Sequence, residues 1–516
     1  MPSSTVCRPA IGRRLLAVAA GHGTGTGNEG QVSTIPELLR ADQIETWDDT
    51  ADVVVIGYGI AGACAALEAR RAGADVLVIE RASGGGGASA LSAGIFYLGG
   101  GTAVQKAVGY DDTPDDMYRF LMASTGAPDA QLVRRFCDAA AGHFDWLETQ
   151  GVPFERTYYK DKAVIAPTSE CLASTGNEKA WPYYHFAKPV PRGHKVAKVG
   201  DGGGALAMNA LIARCAEEGV RVAVDSEVKA LVRDEAGRIM GVKVRQTTGP
   251  VHLRARRAVI LAAGGFGMNR ELMRQYVPQL PEASEPLGIP NNDGAALMLG
   301  LSAGAATQAM DGTIATSSFY PPGQLIKGIV VNKRGERFVA EDSYHGRTAE
   351  TIAEQPDATA YLIVDSEIFE YPQIEKRLID GFETVADMEA GLKLPAGSLQ
   401  KTMTEYNVAA ANGSDPLWHK HPDWVKPLDK PPFAAFDLSY TATSYRYLTL
   451  GGIRTTAEAE VLDEAGEPIP GFYAAGACVS SIPQNGKGYA SGLSLGPGSY
   501  YGRIAGQNAA KATLNS

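Results

Sequence analysis

The sequence predicts an α/β fold built on a parallel nucleotide-binding sheet, and three observations carry that expectation. A strand–turn–helix–strand pattern runs through "ADVVVIGYGIAGACAALEARRAGADVLVIER" in the first part of the chain. Two later segments, "RRAVILAAGGFG" and "IPGFYAAGACVSS", read as buried strands that each break at glycine. The chain has 516 residues, 45% hydrophobic and 21% charged, which suits an ordinary globular protein of two or three domains.

The first element is an apolar strand from Val53 to Ile56, followed by Gly57-x-Gly59-x-x-Gly62. Gly57 permits a tight turn, Gly59 lets a pyrophosphate reach the backbone, and Gly62 lets helix and strand pack closely. The Ala-rich helix that follows offers free N–H groups and partial positive charge to phosphate at its N-terminus. The second strand, Val76 to Ile79, ends at Glu80, which is placed to accept hydrogen bonds from an adenosine ribose. A lone glycine motif is weak evidence; with both strands, the helix and the acid in place it reads as a Rossmann-like unit.

That unit serves NAD and FAD alike, and the next stretch discriminates. "RASGGGGASALSAGIFYLGGGT" (81–102) is rich in Gly and Ser where a simple nicotinamide domain would continue into another helix. Such a stretch can wrap along a second phosphate and a flavin ring, so the expected cofactor is FAD. The segment contains no histidine for a covalent flavin link, so the FAD is expected to be non-covalent. "GVRVAVDSEVKALVRDEAGRIMGVKV" reads as a strand-rich meander with an adenine-side contact near Val228.

The totals exclude other classes. A net charge of −10 without a basic stripe argues against a nucleic-acid partner. No run of eighteen apolar residues occurs, so no membrane span is expected. Cys7, Cys64, Cys137, Cys171, Cys215 and Cys478 form no C-x-x-C pair, which fits reduced thiols in a cytoplasmic protein and no metal site. Residues 1–45 read as a flexible extension. Arg13 and Arg14 precede an apolar run, Leu15 to Ala20, shorter than the ~7–15 residues of an export signal. "GHGTGTGNEG" then reads as linker. His419 and His421 in "HKHPDW" read as a solvated loop, and His194 as a structural or gating residue.

These segments resemble the flavoproteins grouped with fumarate reductase and succinate dehydrogenase, from Thr46 to Lys511. They most resemble the 3-ketosteroid Δ4-(5α)-dehydrogenases, through "ETWDDTADVVVIGYGIAG", "VPRGH", "AEDSYHGR" and "KGYASG". The resemblance implies a Rossmann-like FAD-binding domain interrupted by an inserted α+β catalytic domain. It divides the chain into an FAD-binding part at 46–302, a catalytic part at 303–445 and a returning FAD-binding part at 446–516. Besides Gly57, Gly59, Gly62 and Glu80, it implies cofactor contacts at Ile60, Ala61, Arg81, Ala88, Ser89, Ser92 and Gly94. Further along it implies them at Val228, Ala262, Gly264, Asp293, Gly476, Ser494 and Leu495. The glycines at 486, 488, 492 and 496 are expected to approach the cofactor.

The chain departs from the fumarate reductases where their acid and carboxylate clamp would stand. It has Asp342-Ser343-Tyr344 with Arg347 further on, and Leu448 and Thr449 with no histidine nearby. A dicarboxylate needs charged clamps, whereas tyrosine hydroxyls suit a neutral ketone. The resemblance therefore implies α,β-desaturation of an apolar cyclic ketone, foremost a 3-keto-5α-steroid to the 3-keto-4-ene, with an unidentified electron acceptor. Ser491 would take the proton beside the ketone, Tyr344 would activate Ser491 and pass the proton outward, and Tyr489 would donate to the ketone oxygen. Hydride would go to the flavin. Tyr97 and Tyr320 would be pocket walls.

Other readings stay open at this point. Ser491 could cap the following helix, and Tyr344 and Tyr489 could simply pack. The chemistry could run in reverse as a C=C reductase, the substrate could be a plain cyclohexanone, or the protein could be a flavin sensor without turnover.

Overall fold

The computed structural model describes residues 34–126, 129–163, 165–317, 323–372 and 377–514. Its largest sheet has nine strands. Asp49–Ile56 pairs in parallel with Val76–Ile79 on one side and Gly249–Leu261 on the other. Arg221–Ala223 extends the sheet beyond Val76–Ile79, and Pro468–Ala474 pairs with Gly249–Leu261, both in parallel. Val53, Val54 and Val55 are wholly buried, as a parallel strand covered on both faces requires. Alternation divides them: Val53 and Val55 pack with residues of the helices Ile60–Arg71 and Leu495–Lys511, while Val54 and Ile56 pack with Ala295–Ser302 and the meander.

The strand Gly249–Leu261 serves two partners. Its first half runs antiparallel to Ile239–Gln246, which in turn pairs with Glu227–Arg233. From Leu253 onward it also pairs in parallel with Asp49–Ile56, across a bulge between Ala255 and Ala258. The meander expected from sequence is thus an antiparallel wing of the same sheet. Leu39–Arg40, which the sequence assigns to a flexible extension, forms a short edge strand beside Val232 and Arg233. Residues 1–33 lie outside the described residues.

The C-terminal helix Leu495–Lys511 returns to the first helix, Ile60–Arg71. A Cβ on Gly502 would sit 2.3 Å from the Ala61 carbonyl oxygen, and one on Gly506 would sit 2.1 Å from that of Ala65. Two glycines a turn apart therefore bring the helix backbones close. This contact fixes the C-terminal helix against the helix that follows the nucleotide-binding turn.

A second sheet stands apart, with four antiparallel strands in the order Ile329–Asn332, Ala360–Asp365, Phe433–Asp437, Leu378–Phe382. It has its own core, including Val331, Ile363, Met388, Leu399 and Phe436, all wholly buried. The chain enters this region along Thr313–Ser317 and leaves along Tyr445–Thr449, and these two strands pair antiparallel. The molecule is thus a mixed α/β fold with an FAD-binding domain and an inserted sheet between its two parts. No helix among the described residues is long and apolar enough to cross a membrane.

Candidate active site

The glycine turn at the end of the first strand borders a cleft. Twelve of the residues expected at the cofactor line it: Gly57, Gly59, Ile60, Ala61, Glu80, Arg81, Ala88, Ser89, Val228, Ala262, Gly264 and Gly476. The three motif glycines divide the work. A Cβ on Gly57 would lie 2.5 Å from the Ala262 carbonyl oxygen, and its φ of +99° is one that glycine favours. A Cβ on Gly62 would lie 2.0 Å from the Gly57 carbonyl oxygen. Gly59 differs: the nearest atom to its missing Cβ is Ser89 Oγ at 3.5 Å. That bare backbone at a helix N-terminus is the cradle a pyrophosphate needs, so the residues present fit a dinucleotide.

Glu80 is held in place by its neighbours. Its carboxylate accepts hydrogen bonds from the Tyr58 and Ala82 backbone N–H groups, both at 2.8 Å. Each oxygen keeps a lone pair for a ligand hydroxyl. Six expected residues lie off the cleft wall. Gly62 packs helix on strand as described. Ser92 Oγ donates to Ser89 O at 2.7 Å and accepts from the Gly94 N–H at 3.2 Å. Gly94 abuts Gly203, at the start of the helix Gly203–Glu217. Asp293 pairs with Arg81 at 2.8 Å. Ser494 faces Tyr489, and Leu495 is buried at the head of the C-terminal helix. Tyr58, Ser226, Ile289 and Asn292 also line the cleft and were not anticipated. Only Tyr58 carried a signal, as the middle residue between the first two motif glycines.

The glycines of the stretch 485–496 are packed closely against protein atoms. A Cβ on Gly488 would lie 2.2 Å from the Ser124 carbonyl oxygen, one on Gly492 2.4 Å from Tyr97 N, and one on Gly496 2.8 Å from Tyr97 O. One on Gly486 would meet Glu350 Oε1 at 2.5 Å. These glycines let the loop nest against protein, and none lines the cofactor cleft.

That nesting brings the three expected hydroxyls together. Tyr344 stands at the N-terminal boundary of the helix His345–Ala353, and its hydroxyl lies 2.9 Å from Ser491 Oγ. The Tyr344 and Tyr489 rings are 6.2 Å apart, and the Tyr489 hydroxyl lies 2.8 Å from Ser494 Oγ. Both tyrosines are buried. Burial raises the Tyr489 phenol above its ordinary pKa, against the smaller pull of its bond to Ser494, so it remains protonated at neutral pH. The residue that bounds the C-terminal helix is Ser494; Ser491 spends its hydroxyl on Tyr344.

Beside Tyr344 lies a second cavity. Leu325, Ile326, Val330, Ile352, Leu362 and Leu438 give it an apolar wall, while Thr175 and Gly176 border it on the side of the loop. His345 also faces it; burial, reinforced by the Lys162 charge, pushes this imidazole down to about 3, so it stays neutral. Tyr97 lies in the core and donates to Glu178 at 3.1 Å, so it is no open pocket wall. Tyr320 lies outside the described residues. His194 is wholly buried: its Nδ1 faces the Arg192 carbonyl at 3.0 Å and its Nε2 the Thr102 hydroxyl at 2.8 Å. Nδ1 therefore carries the proton and Nε2 accepts, a structural arrangement. His419 stacks on Trp181 with ring centroids 4.5 Å apart.

Comparison with known proteins places this geometry. A family described as FAD binding domain matches residues 52–492. The chain is 30% identical to the 3-oxo-5-alpha-steroid 4-dehydrogenase of Comamonas testosteroni, over 86% of this chain and 96% of that protein. It is 42% identical, with a TM-score of 0.88, to the crystal structure of 3-ketosteroid-delta4-(5alpha)-dehydrogenase from Rhodococcus jostii RHA1 in complex with 4-androstene-3,17-dione. That match covers 92% of this chain and 99% of the other. The 4-oxocyclohexanecarboxylate 2-dehydrogenase of Sinomonas cyclohexanicum is 28% identical, over 89% of this chain and 93% of that protein. This chain belongs to the family of FAD-binding oxidoreductases that includes the 3-ketosteroid Δ4-(5α)-dehydrogenases.

Proposed function

We propose that this protein desaturates a 3-keto-5α-steroid to the 3-keto-4-ene. The observation that carries the reading is the 2.9 Å contact between Tyr344 and Ser491, beside the buried, protonated Tyr489. The apolar cavity bordering Tyr344 supports a hydrocarbon substrate body. Gly59, Ile60, Ala61, Ala88 and Ser89 would hold the pyrophosphate of FAD, Glu80 the ribose and Val228 the adenine side. Ser494 and Leu495 would stand toward the flavin end. Bound FAD, held without a covalent link, supplies the two-electron acceptor. Residues 303–445 form the catalytic domain in this reading.

The chain's own hydroxyls handle the proton. Ser491 Oγ receives it from the carbon beside the ketone while passing its own proton to the Tyr344 phenol oxygen, which in turn releases its own proton outward. Tyr489 has one proton to give. If it accepts from the Ser494 hydroxyl at 2.8 Å, that proton is free for the ketone oxygen as negative charge develops. In a dry site such a donor contributes about 3–4 kcal/mol. The stabilisation is what lets a weak base work, since a free phenol with pKa about 10 is ionised only about once in a thousand at pH 7.

The test is anaerobic mixing of the oxidised holoprotein with a 3-keto-5α-steroid, following the yellow flavin absorbance. Rapid bleaching with formation of the 4-ene is expected, and denaturing the protein should release the flavin into the filtrate. Bleaching by 4-oxocyclohexanecarboxylate but not by the steroid would reassign the substrate to the smaller ketone.

A further inference from the structure

We infer that Asn177 is the positioning residue that sets the contact between Tyr344 and Ser491. The inference rests on the desaturase reading, in which that contact carries the proton. The two hydroxyls belong to residues 147 positions apart in sequence, on segments that nothing local holds in register. A hydrogen bond between hydroxyls weakens within a few tenths of an ångström of its optimum of about 2.7–2.8 Å. Something must therefore fix one backbone against the other.

Asn177 does so with a single side-chain amide. Its Oδ1 accepts from the Tyr344 backbone N–H at 2.7 Å, and its Nδ2 donates to the Lys487 carbonyl at 3.1 Å, in the loop ahead of Ser491. Asn177 is 1% exposed, so water does not substitute for either bond. The orientation is fixed by the partners: a flipped amide would set N–H against N–H and oxygen against oxygen.

The flanking residues press the same stretch onto the loop. The Ser491 N–H donates to the Thr175 carbonyl at 2.9 Å, and Thr175 Oγ1 donates to the Ser491 carbonyl at 2.9 Å. Gly176 lies so close that its Cβ would be 2.6 Å from that of Ala490. A second brace crosses from the helix beginning after Tyr344, where Glu350 accepts from the Gly486 and Lys487 N–H groups at 2.5 and 3.0 Å. Glu350 ties helix to loop, whereas Asn177 holds the Tyr344 amide itself. Asn177 touches neither reacting hydroxyl and acts only through them.

The experiment uses the holoprotein and the N177A, N177D, S491A and N177A/S491A variants. N177A is expected to keep its FAD, to bind the steroid as the parent does, and to lose about 100-fold in the rate of anaerobic flavin reduction, as a displacement near 1 Å does. Because Asn177 acts through Ser491, N177A should add less than about twofold on the S491A background. N177D keeps an acceptor for Tyr344 but can donate to Lys487 only when protonated, so its rate relative to the parent should rise as pH falls. Amide hydrogen exchange at Tyr344, read without substrate, should quicken in N177A. Parent-like flavin reduction in N177A, a full loss repeated on the S491A background, or a flat N177D ratio would each overturn the inference. If N177A loses its FAD, the N177D ratio decides. If the parent itself is not bleached by the steroid, the desaturase reading fails separately, and unchanged exchange at Tyr344 overturns the role of Asn177.

Discussion

The two glycine-rich turns of this protein, 57–62 and 486–496, use the same residue for opposite purposes. In the first, Gly57 and Gly62 press against backbone, but Gly59 faces a cleft, with Ser89 Oγ at 3.5 Å as its nearest neighbour. In the second, Gly486, Gly488, Gly492 and Gly496 all press on protein. A run of glycines announces that something comes close, and only the three-dimensional neighbour says whether it is ligand or chain. The first turn serves the cofactor by leaving room. The second serves the site by removing room, so that Ser491 reaches Tyr344.

Gly59→Val probes the first turn most severely. Its branched side chain would fill the cleft without striking backbone, so FAD occupancy should fall to near zero in a protein that still folds. The flavin-to-protein absorbance ratio and far-ultraviolet circular dichroism check the two halves of that statement. Normal occupancy would place the cofactor elsewhere. In the second turn the side chains, not the glycines, should carry the chemistry. Ser491→Ala and Tyr489→Phe are expected to keep FAD yet slow anaerobic flavin reduction by roughly 10²–10³-fold each. The double variant should be little worse than the worse single one, because residues acting as a unit are not additive. Wild-type reduction by Ser491→Ala would return that hydroxyl to a packing role.

Gly492→Ala should separate packing from ligand contact. Its φ of +104° and a Cβ 2.4 Å from Tyr97 N make it destabilising by about 1–3 kcal/mol, seen as a lower Tm even in the flavin-free protein. If instead it lowered only FAD affinity, the two turns would be alike after all. The smallest effect belongs to Gly84, with nothing within 4 Å of its missing Cβ. Gly84→Ala should keep FAD and leave stability unchanged within about 0.5 kcal/mol.

The same contrast explains how much the sequence reveals. The strand Val76–Ile79 falls where the apolar pattern puts it, and the first strand ends at Ile56 as read. That strand starts at Asp49 instead of Val53 because Asp49, Thr50 and Ala51 find partners in Leu253, Arg254 and Ala255. Likewise, Gly249–Leu261 begins ahead of the apolar run at Arg256 because an antiparallel neighbour extends it. Pattern within a segment locates an element; a distant partner sets its length. That Tyr344, Tyr489 and Ser491 would come together was suggested by short motifs whose residue types suit a ketone. Asn177 and Glu350 were not, since "STGNEKA" and "RTAETIA" carry no local mark of bonds to a loop made far later in the chain.

The close seating of Gly502 and Gly506 on the first helix has a consequence for biosynthesis. Ala61 and Ala65 are made long before the helix that covers them, Leu495–Lys511. The strand Pro468–Ala474, which pairs with Gly249–Leu261, is equally late. The nascent chain must therefore carry an exposed apolar helix face and an unpaired strand edge until those later segments emerge. Such surfaces recruit chaperones or promote aggregation. The inserted sheet, whose four strands all lie between Ile329 and Asp437, can close on itself first. The nucleotide-binding sheet, begun before the inserted one, is finished after it.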